Sequence, residues 1–354
     1  MILVLLRLLL GSLAAVFTAG LLYQAIGRHR DRRRVPPPGR LIDFGPRRLH
    51  LYEQGSGSPA VILEAGIAGT SLGWALVQPE IAKFTRVCGY DRAGLGWSDA
   101  ALSVPSVLDA LIDLHTLLSR ANVPPPYVLV GHSFGGLLVR AYAHRMPEEV
   151  AGLILIDPVS IAYWTGCSPR EKARLALGAR FSRRGALLAR LGVVRLALAA
   201  LLGGGRLFPK LISRVSAGKG RGTVERLVGE VRKLPRDVWP AIASHWSDPK
   251  CFRAMAAALE SLPENAREML DTTVPAQIPL VILSAADSTK LEWEEREKWV
   301  RESQNGIHVR VANSGHWIQL EQPQIVVDAV RNLVFSLRAA RPARKAEFGN
   351  CDPA

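Results

Sequence analysis

From residue 41 the chain alternates short β-branched apolar runs with longer stretches of helical apolar spacing, the rhythm of an α/β protein. Strands are predicted at Leu41–Phe44, Leu49–Gln54, Ala60–Glu64, Thr85–Tyr90, Tyr127–Val130, Gly152–Ile156, Leu280–Ser284 and Ile307–Val311. The middle runs, such as Val61-Ile62-Leu63 and Val128-Leu129-Val130, are apolar without interruption. A sheet wet on one side would alternate, so these strands are expected to be mostly parallel and covered by helices on both faces. Between Asp157 and Gln277 the strand pattern stops and Leu/Ala/Arg-rich helical segments replace it, broken at Gly203-Gly204-Gly205, Pro209, Pro235 and Pro240. The expected fold class is therefore α/β, a mostly parallel eight-stranded sheet carrying an inserted helical cap over the carboxyl ends of its strands, where open α/β sheets bind ligands.

A different pattern occupies the start. Leu8 to Ile26 is a charge-free run of nineteen residues, and Ile2 to Leu6 extends it beyond Arg7. At about 1.5 Å per residue such a helix covers roughly 30 Å, the depth of a hydrocarbon core. A cleaved signal peptide usually has a shorter apolar region ending in small residues two apart. Here Phe17 stands before Ala19 and Tyr23 before Ala25, so an uncleaved anchor is expected. Arg28, Arg30, Arg32, Arg33 and Arg34 follow it directly, which by the positive-inside rule keeps the body of the chain cytoplasmic behind a single pass. The implied organisation is an anchor over 1–27, a basic and Pro-rich linker over 28–40 and a first core part over 41–157. A cap over 158–276, a second core part over 277–338 and a flexible tail over 339–354 follow.

Charge changes the picture less than its size suggests. The chain of 354 residues carries 45 Lys and Arg against 31 Asp and Glu. The excess is concentrated: nine Arg against Asp31 and Asp43 in residues 1–48, and sixteen Lys or Arg against Glu171, Glu225 and Glu230 in residues 170–233. The rest is net acidic, and no nucleic-acid-binding motif accompanies the basic segments, so phospholipid headgroups are the expected anionic partner rather than nucleic acid. Residues 183–203 join an apolar face to Arg184, Arg190 and Arg195. A second span would bury arginines at a cost of roughly 2.5–3.5 kcal/mol each, which leaves a helix lying in the membrane interface or packed on the α/β body. Four cysteines, Cys88, Cys167, Cys251 and Cys351, have no CxxC spacing, and neither a disulfide scaffold nor a metal site is expected.

The candidate chemistry centres on Gly131-His132-Ser133-Phe134-Gly135, between a buried strand and a helical pattern beginning at Leu137. A strand-to-helix turn of G-x-S-x-G spacing lifts a serine hydroxyl above the sheet edge, because side chains at the glycines would strike neighbouring backbone. A serine needs a base, itself oriented by an acid. Of eight histidines, His29 lies by the apolar helix, His50, His115, His144 and His308 in strand or helix patterns, and His245 in the cap; His132 is read as pointing away from its neighbour. His316, in the turn Asn313-Ser314-Gly315-His316-Trp317, is the candidate base. For the acid, Asp287 follows Leu280–Ser284; Asp157, ending the preceding strand, is the alternative. Asp91 is read as a structural partner of Arg92. Two backbone N–H groups should hold the oxyanion, those of Phe134 and of Ile67 in Glu64-Ala65-Gly66-Ile67-Ala68-Gly69.

Four stretches carry a family resemblance: Leu63-Glu-Ala-Gly-Ile-Ala-Gly69, Tyr90-Asp-Arg-Ala-Gly-Leu-Gly-Trp-Ser98, Gly131-His-Ser-Phe-Gly-Gly136 and Ser314-Gly-His-Trp317. Over about residues 49–157 and 277–338 the chain resembles the capped branch of the α/β-hydrolase fold superfamily. The resemblance implies a nucleophile, acid and base at Ser133, Asp287 and His316 and no cofactor. One departure is Glu-Ala-Gly where many members have His-Gly. A serine at position 133 argues against the dehalogenases and epoxide hydrolases of this fold, which use aspartate. The expected activity is hydrolysis of carboxylic esters, lipid-like acyl esters among them, through an acyl-enzyme. Amide, peptide or carbon–carbon bond hydrolysis and a ligand-binding protein on the same scaffold are the alternatives. Trp164, Trp239 and Trp246 are candidates for an acyl pocket, or for plain core.

Overall fold

The computed structural model describes residues 1–102, 106–202 and 232–340. Eight strands, β1 (Arg40–Asp43), β2 (Arg48–Gln54), β3 (Ala60–Glu64), β4 (Val87–Tyr90), β5 (Tyr127–His132), β6 (Val150–Ile156), β7 (Leu280–Ala285) and β8 (Gly306–Val311), form one sheet in the order β1-β2-β4-β3-β5-β6-β7-β8. The β1–β2 and β2–β4 pairs are antiparallel and every later pair is parallel.

The unbroken apolar runs follow from burial of both faces. Ile62, Leu129, Leu153 and Leu155 enter one core together with Leu111, Leu114, Leu117 and Tyr142 of helices α3 (Val107–Arg120) and α4 (Phe134–Arg145). Their immediate neighbours Val61, Leu63, Val128, Val130, Ile154 and Ile156 enter the opposite core with Trp74, Ile81 and Val330. Side chains alternate across a strand, so a strand with two cores must be apolar at every position. Ile81 belongs to the short α2 (Gln78–Ile81), and Val330 to the last helix, running from Pro323 to Ala340.

Between β6 and β7 lie α5 (Ile161–Thr165), α6 (Pro169–Arg190), α7 (Val193–Leu202), α8 (Trp239–Trp246) and α9 (Pro249–Glu268). Reciprocal Ser168–Glu171 hydrogen bonds start α6. Phe252 of α9 packs on Gly185 of α6, and Arg183 pairs with Glu260 at 2.6 Å. The expected break at Gly203-Gly204-Gly205 and Pro209 lies outside the described residues, as does most of the expected tail; Ala339 and Ala340 are still helical.

At the other end, α1 (Ile2–Arg34) is a single helix of 33 residues. The boundary expected after residue 27 is therefore absent from the backbone: the arginines at 28–34 occupy the last turns of the same helix, which stops only before the prolines at 36–38.

Candidate active site

Every parallel strand of the sheet directs its carboxyl end to one rim. Ser133 stands there as the hinge between β5 and α4, with φ 55° and ψ −118°. For a non-glycine residue this backbone costs on the order of 1–3 kcal/mol, held in place by surrounding structure. Part of that hold is the hydrogen bond from the Ser133 N–H to Ile156 O at 2.9 Å, which ties the turn to the end of β6. Another part is the approach of β3: a Cβ on Gly135 would lie 2.4 Å from Glu64 O and 2.7 Å from Ala65 O, so only glycine fits. The loop after β3 also comes near, less tightly, since a Cβ on Gly66 would lie 3.3 Å from Ser133 Cβ and 3.1 Å from His132 Nδ1.

His316 follows β8 on a loop braced by Glu321, whose Oε2 accepts from Ser314 Oγ at 2.9 Å and from the Gly315 N–H at 2.5 Å. His132 does not point away, as expected from its position. Its Nε2 donates to the His316 carbonyl at 2.8 Å, and the two rings lie 4.7 Å apart between centroids, bringing the His316 loop against the residue next to Ser133. Because the acceptor is a carbonyl, His132 must carry its proton on Nε2. Burial, reinforced by the neighbouring His316, pushes His132 down to about 3, so it stays a neutral donor.

The carboxylate on His316 is Asp157 and not Asp287. Asp157 Oδ2 lies 2.6 Å from His316 Nδ1, while Oδ1 accepts from Arg296 Nη1 at 2.8 Å, the Ala285 N–H at 3.1 Å and Ser288 Oγ at 3.3 Å. Burial alone would raise its pKa; the His316 hydrogen bond, the Arg296 charge and the Ala285 N–H together outweigh it and hold Asp157 at about 2. Asp287 is exposed and, among the described residues, makes no hydrogen bond or ion pair. The physical reason is strand length. Asp157 directly follows β6, beside β5, with a φ of 40°, whereas Asp287 is two residues past the end of β7 in an exposed turn. What that turn contributes is the Ser288 hydroxyl, and the next helix, α10 (Lys290–Glu302), contributes the buried Arg296.

Asp91 and Arg92 do not pair with each other. Arg92 donates to Glu64, to Ala65 O at 2.5 Å and to Gly66 O at 2.5 Å; Glu64 also accepts from the Tyr90 hydroxyl. Burial raises the Glu64 pKa against the opposing Arg92 charge and Tyr90 hydrogen bond. This is what Glu-Ala-Gly accomplishes here: a buried Glu64–Arg92 pair grips the loop carbonyls. A trans peptide directs its N–H opposite its C=O, so the Gly66 carbonyl bonded to Arg92 turns the Ile67 N–H the other way.

Asp91 instead accepts from the Ser71 N–H at 2.7 Å and lies 2.8 Å from His50 Nδ1, in a buried group that Trp97 extends to His245 of α8, with ring centroids 4.4 Å apart. Burial lowers His245 to about 4, with Asp91 opposing. The unfolded chain binds this proton near the ordinary 6.5 and the folded chain only near 4. Stability from His245 is thus complete above about pH 6.5 and falls by up to about 3 kcal/mol as the pH drops to about 4. Denaturant midpoints across that window should show the fall, and His245→Leu should make it shallower, leaving the part that the buried His132 contributes by the same linkage.

A cavity of about 430 Å³ separates α9 from the core, bounded by Ala68, Tyr90 and Phe134 on the core side and by Ala254 and Ala257 on α9, with Arg92, Asp113 and Lys250 among its polar members. Ala68 and Phe134 are neighbours of the loop and of Ser133, but Ser133 and His316 do not themselves line it. Nor do the three candidate tryptophans: Trp164 packs on Tyr163, Trp246 on Phe252, and Trp239 Nε1 donates to Leu234 O.

Known proteins resemble this chain in parts of its sequence and in its fold. A 2-hydroxymuconate semialdehyde hydrolase of Pseudomonas sp. strain CF600 is 32% identical over 130 residues, 36% of this chain and 46% of that protein. An AB hydrolase superfamily protein of Gibberella zeae is 33% identical over 103 residues, 28% of this chain and 32% of that one. The chain thus spans less than half the length of these curated relatives. Among solved structures, a thermophilic esterase from Thermogutta terrifontis matches with a TM-score of 0.60 and 21% identity, covering 84% of this chain and 98% of that one. The epoxide hydrolase CorEH matches with a TM-score of 0.60 and 19% identity, covering 84% and 99%. At these identities the likeness concerns the fold. The family model of the alpha/beta hydrolase fold matches residues 59–323, from the start of β3 through the loop that carries His316, and with the strand order and the turn at Ser133 it makes the chain a member of the α/β-hydrolase fold family.

Proposed function

We propose that the chain is a membrane-anchored serine hydrolase that cleaves carboxylic esters through an acyl-enzyme. The observation that carries this reading is the His316–Asp157 pair beside the Ser133 turn. With Nδ1 donating to a carboxylate, the imidazole lone pair is on Nε2, the tautomer a general base requires. Ser133 Oγ attacks the acyl carbonyl as His316 Nε2 takes its proton. The N–H groups of Phe134 and Ile67 receive the oxyanion, and the proton passes to the departing alcohol. Water, deprotonated by the same imidazole, then attacks the acyl-enzyme and releases the acid with Ser133 restored. Asp157 orients and stabilises the imidazolium in place of Asp287.

The fold accommodates esterases and epoxide hydrolases alike; a hydroxyl at position 133 supports acyl transfer. The similarity to a semialdehyde hydrolase favours, as a second reading, carbon–carbon cleavage at a ketone by the same groups. Helix α1 supports anchoring by its length and its mean hydropathy of 2.3 over an 18-residue window. The test is labelling of the full-length chain in detergent with a fluorophosphonate, followed by assays on esters of increasing acyl length and on a ketone substrate. A stoichiometric adduct on Ser133 with ester turnover is the expected result. A folded protein that neither labels nor turns over would overturn the proposal, and ketone cleavage without ester turnover would favour the second reading.

A further inference from the structure

Helix α1 has two halves of different surroundings. Met1 to Ala19 are all exposed, and from Ile2 this stretch measures about 27 Å at 1.5 Å per residue, close to the depth of a hydrocarbon core. From Gly20 onward one face, carrying Gly20, Gln24, Gly27 and Asp31 at spacings of four, three and four, meets the cap. A Cβ on Gly20 would lie 2.6 Å from Leu191 O. Gln24, only 4% exposed, donates to Ser247 O at 2.7 Å and accepts from Arg195 Nε at 3.0 Å. Asp31 pairs with Arg195 at 2.6 Å and Arg28 with Asp248 at 3.2 Å. Arg195 of the amphipathic segment thus faces α1, an arrangement neither sequence expectation included.

These contacts fix where the cap sits along the helix. The α6–α7 corner, Leu191-Gly192, rests on α1 at the level where the bare half ends. Around that corner Phe181, Leu187, Leu188, Val193 and Leu196 are exposed by 45–57%, interspersed with exposed Arg184 and Arg190. Apolar side chains ringed by arginines suit the boundary between acyl chains and anionic headgroups. A span drawn over the charge-free stretch Leu8 to Ile26 would only carry the Gly20 contact deeper.

We infer that the α6–α7 corner of the cap is seated in the interfacial layer of the bilayer that α1 spans, with its leucines at the acyl boundary and Arg184 and Arg190 among anionic headgroups. This rests on the anchoring part of the proposed function. The cap would then stand on the lipid surface, and an ester lodged there could reach the enzyme without crossing bulk water.

The test uses the full chain with Cys351→Ser, reconstituted in phosphatidylcholine vesicles containing phosphatidylglycerol. A polarity-sensitive fluorophore is attached to Leu188→Cys, to Leu9→Cys in the bare half of α1, or to Lys298→Cys on the exposed face of α10; Cys88, Cys167 and Cys251 are buried. Spin-labelled lipids should quench the label at 9 strongly and at 188 through shallow nitroxides, and leave 298 unaffected. A label at 188 that behaves like 298 while 9 is quenched would overturn the seating of the cap alone. Absence of quenching at both 9 and 188 would overturn anchoring as well. A paired Leu187→Glu and Leu188→Glu variant should lose at least severalfold turnover of vesicle-borne esters and keep that of a soluble ester.

Discussion

Ser133→Ala is expected to lower kcat on a soluble ester by at least roughly four orders of magnitude, with KM little changed and the fluorophosphonate adduct lost. The side chain removed is the only one that forms a bond to substrate in the proposed mechanism, so no other group can take over its step. Alanine retains the backbone demand of the turn at φ 55° and fits the space of serine, so thermal melting should move little. Melting and kinetics measured on the same preparation separate a chemical defect from a folding one. Turnover persisting at a substantial fraction of wild type would remove Ser133 from the mechanism.

Second in size is the contrast between the two carboxylates. Asp157→Asn should cost roughly 10⁴-fold in kcat, because an amide can present its NH₂ to His316 Nδ1 and stabilise the tautomer that has no lone pair on Nε2. It also leaves Arg296, buried at 1% exposure, without its carboxylate; loss of one partner of a buried pair typically costs about 3–5 kcal/mol. Kinetics must therefore be normalised to the folded fraction. Asp287→Asn should leave both activity and melting temperature at wild-type values, since Asp287 is exposed and makes no hydrogen bond or ion pair among the described residues. The reverse pattern, a silent Asp157→Asn and an inactive Asp287→Asn, would return the role to Asp287. With Asp157 held at about 2, no acid limb near neutrality should come from this carboxylate.

The two acids also mark how far the sequence can be read. The strands were legible because each inner one is buried on two faces, and their predicted ends fall within about two residues of those observed. The turns that carry Ser133 and His316 were legible because turn chemistry is local: glycines on either side of one, an Asn-Ser-Gly run before the other. Which carboxylate meets the imidazole is not local. It depends on Asp157 emerging directly from β6 next to β5, and on Arg296 arriving from 139 positions later in the chain. The same holds for Glu64, Tyr90 and Arg92, whose union depends on two adjacent strands ending level. His132 was misread for a related reason, since its partner lies 184 positions away.

The docking of α1 has a consequence for where a soluble version of this protein can begin. Arg195, with 12% of its side chain exposed, has its carboxylate in Asp31 and its amide partner in Gln24, both upstream of the prolines that look like a natural boundary. Cutting at those prolines would strand a guanidinium on a bared cap surface beside the unpaired Ser247 carbonyl. Cutting instead just before Gly20 would discard the greasy, solvent-naked turns and preserve the helical splint that braces the cap.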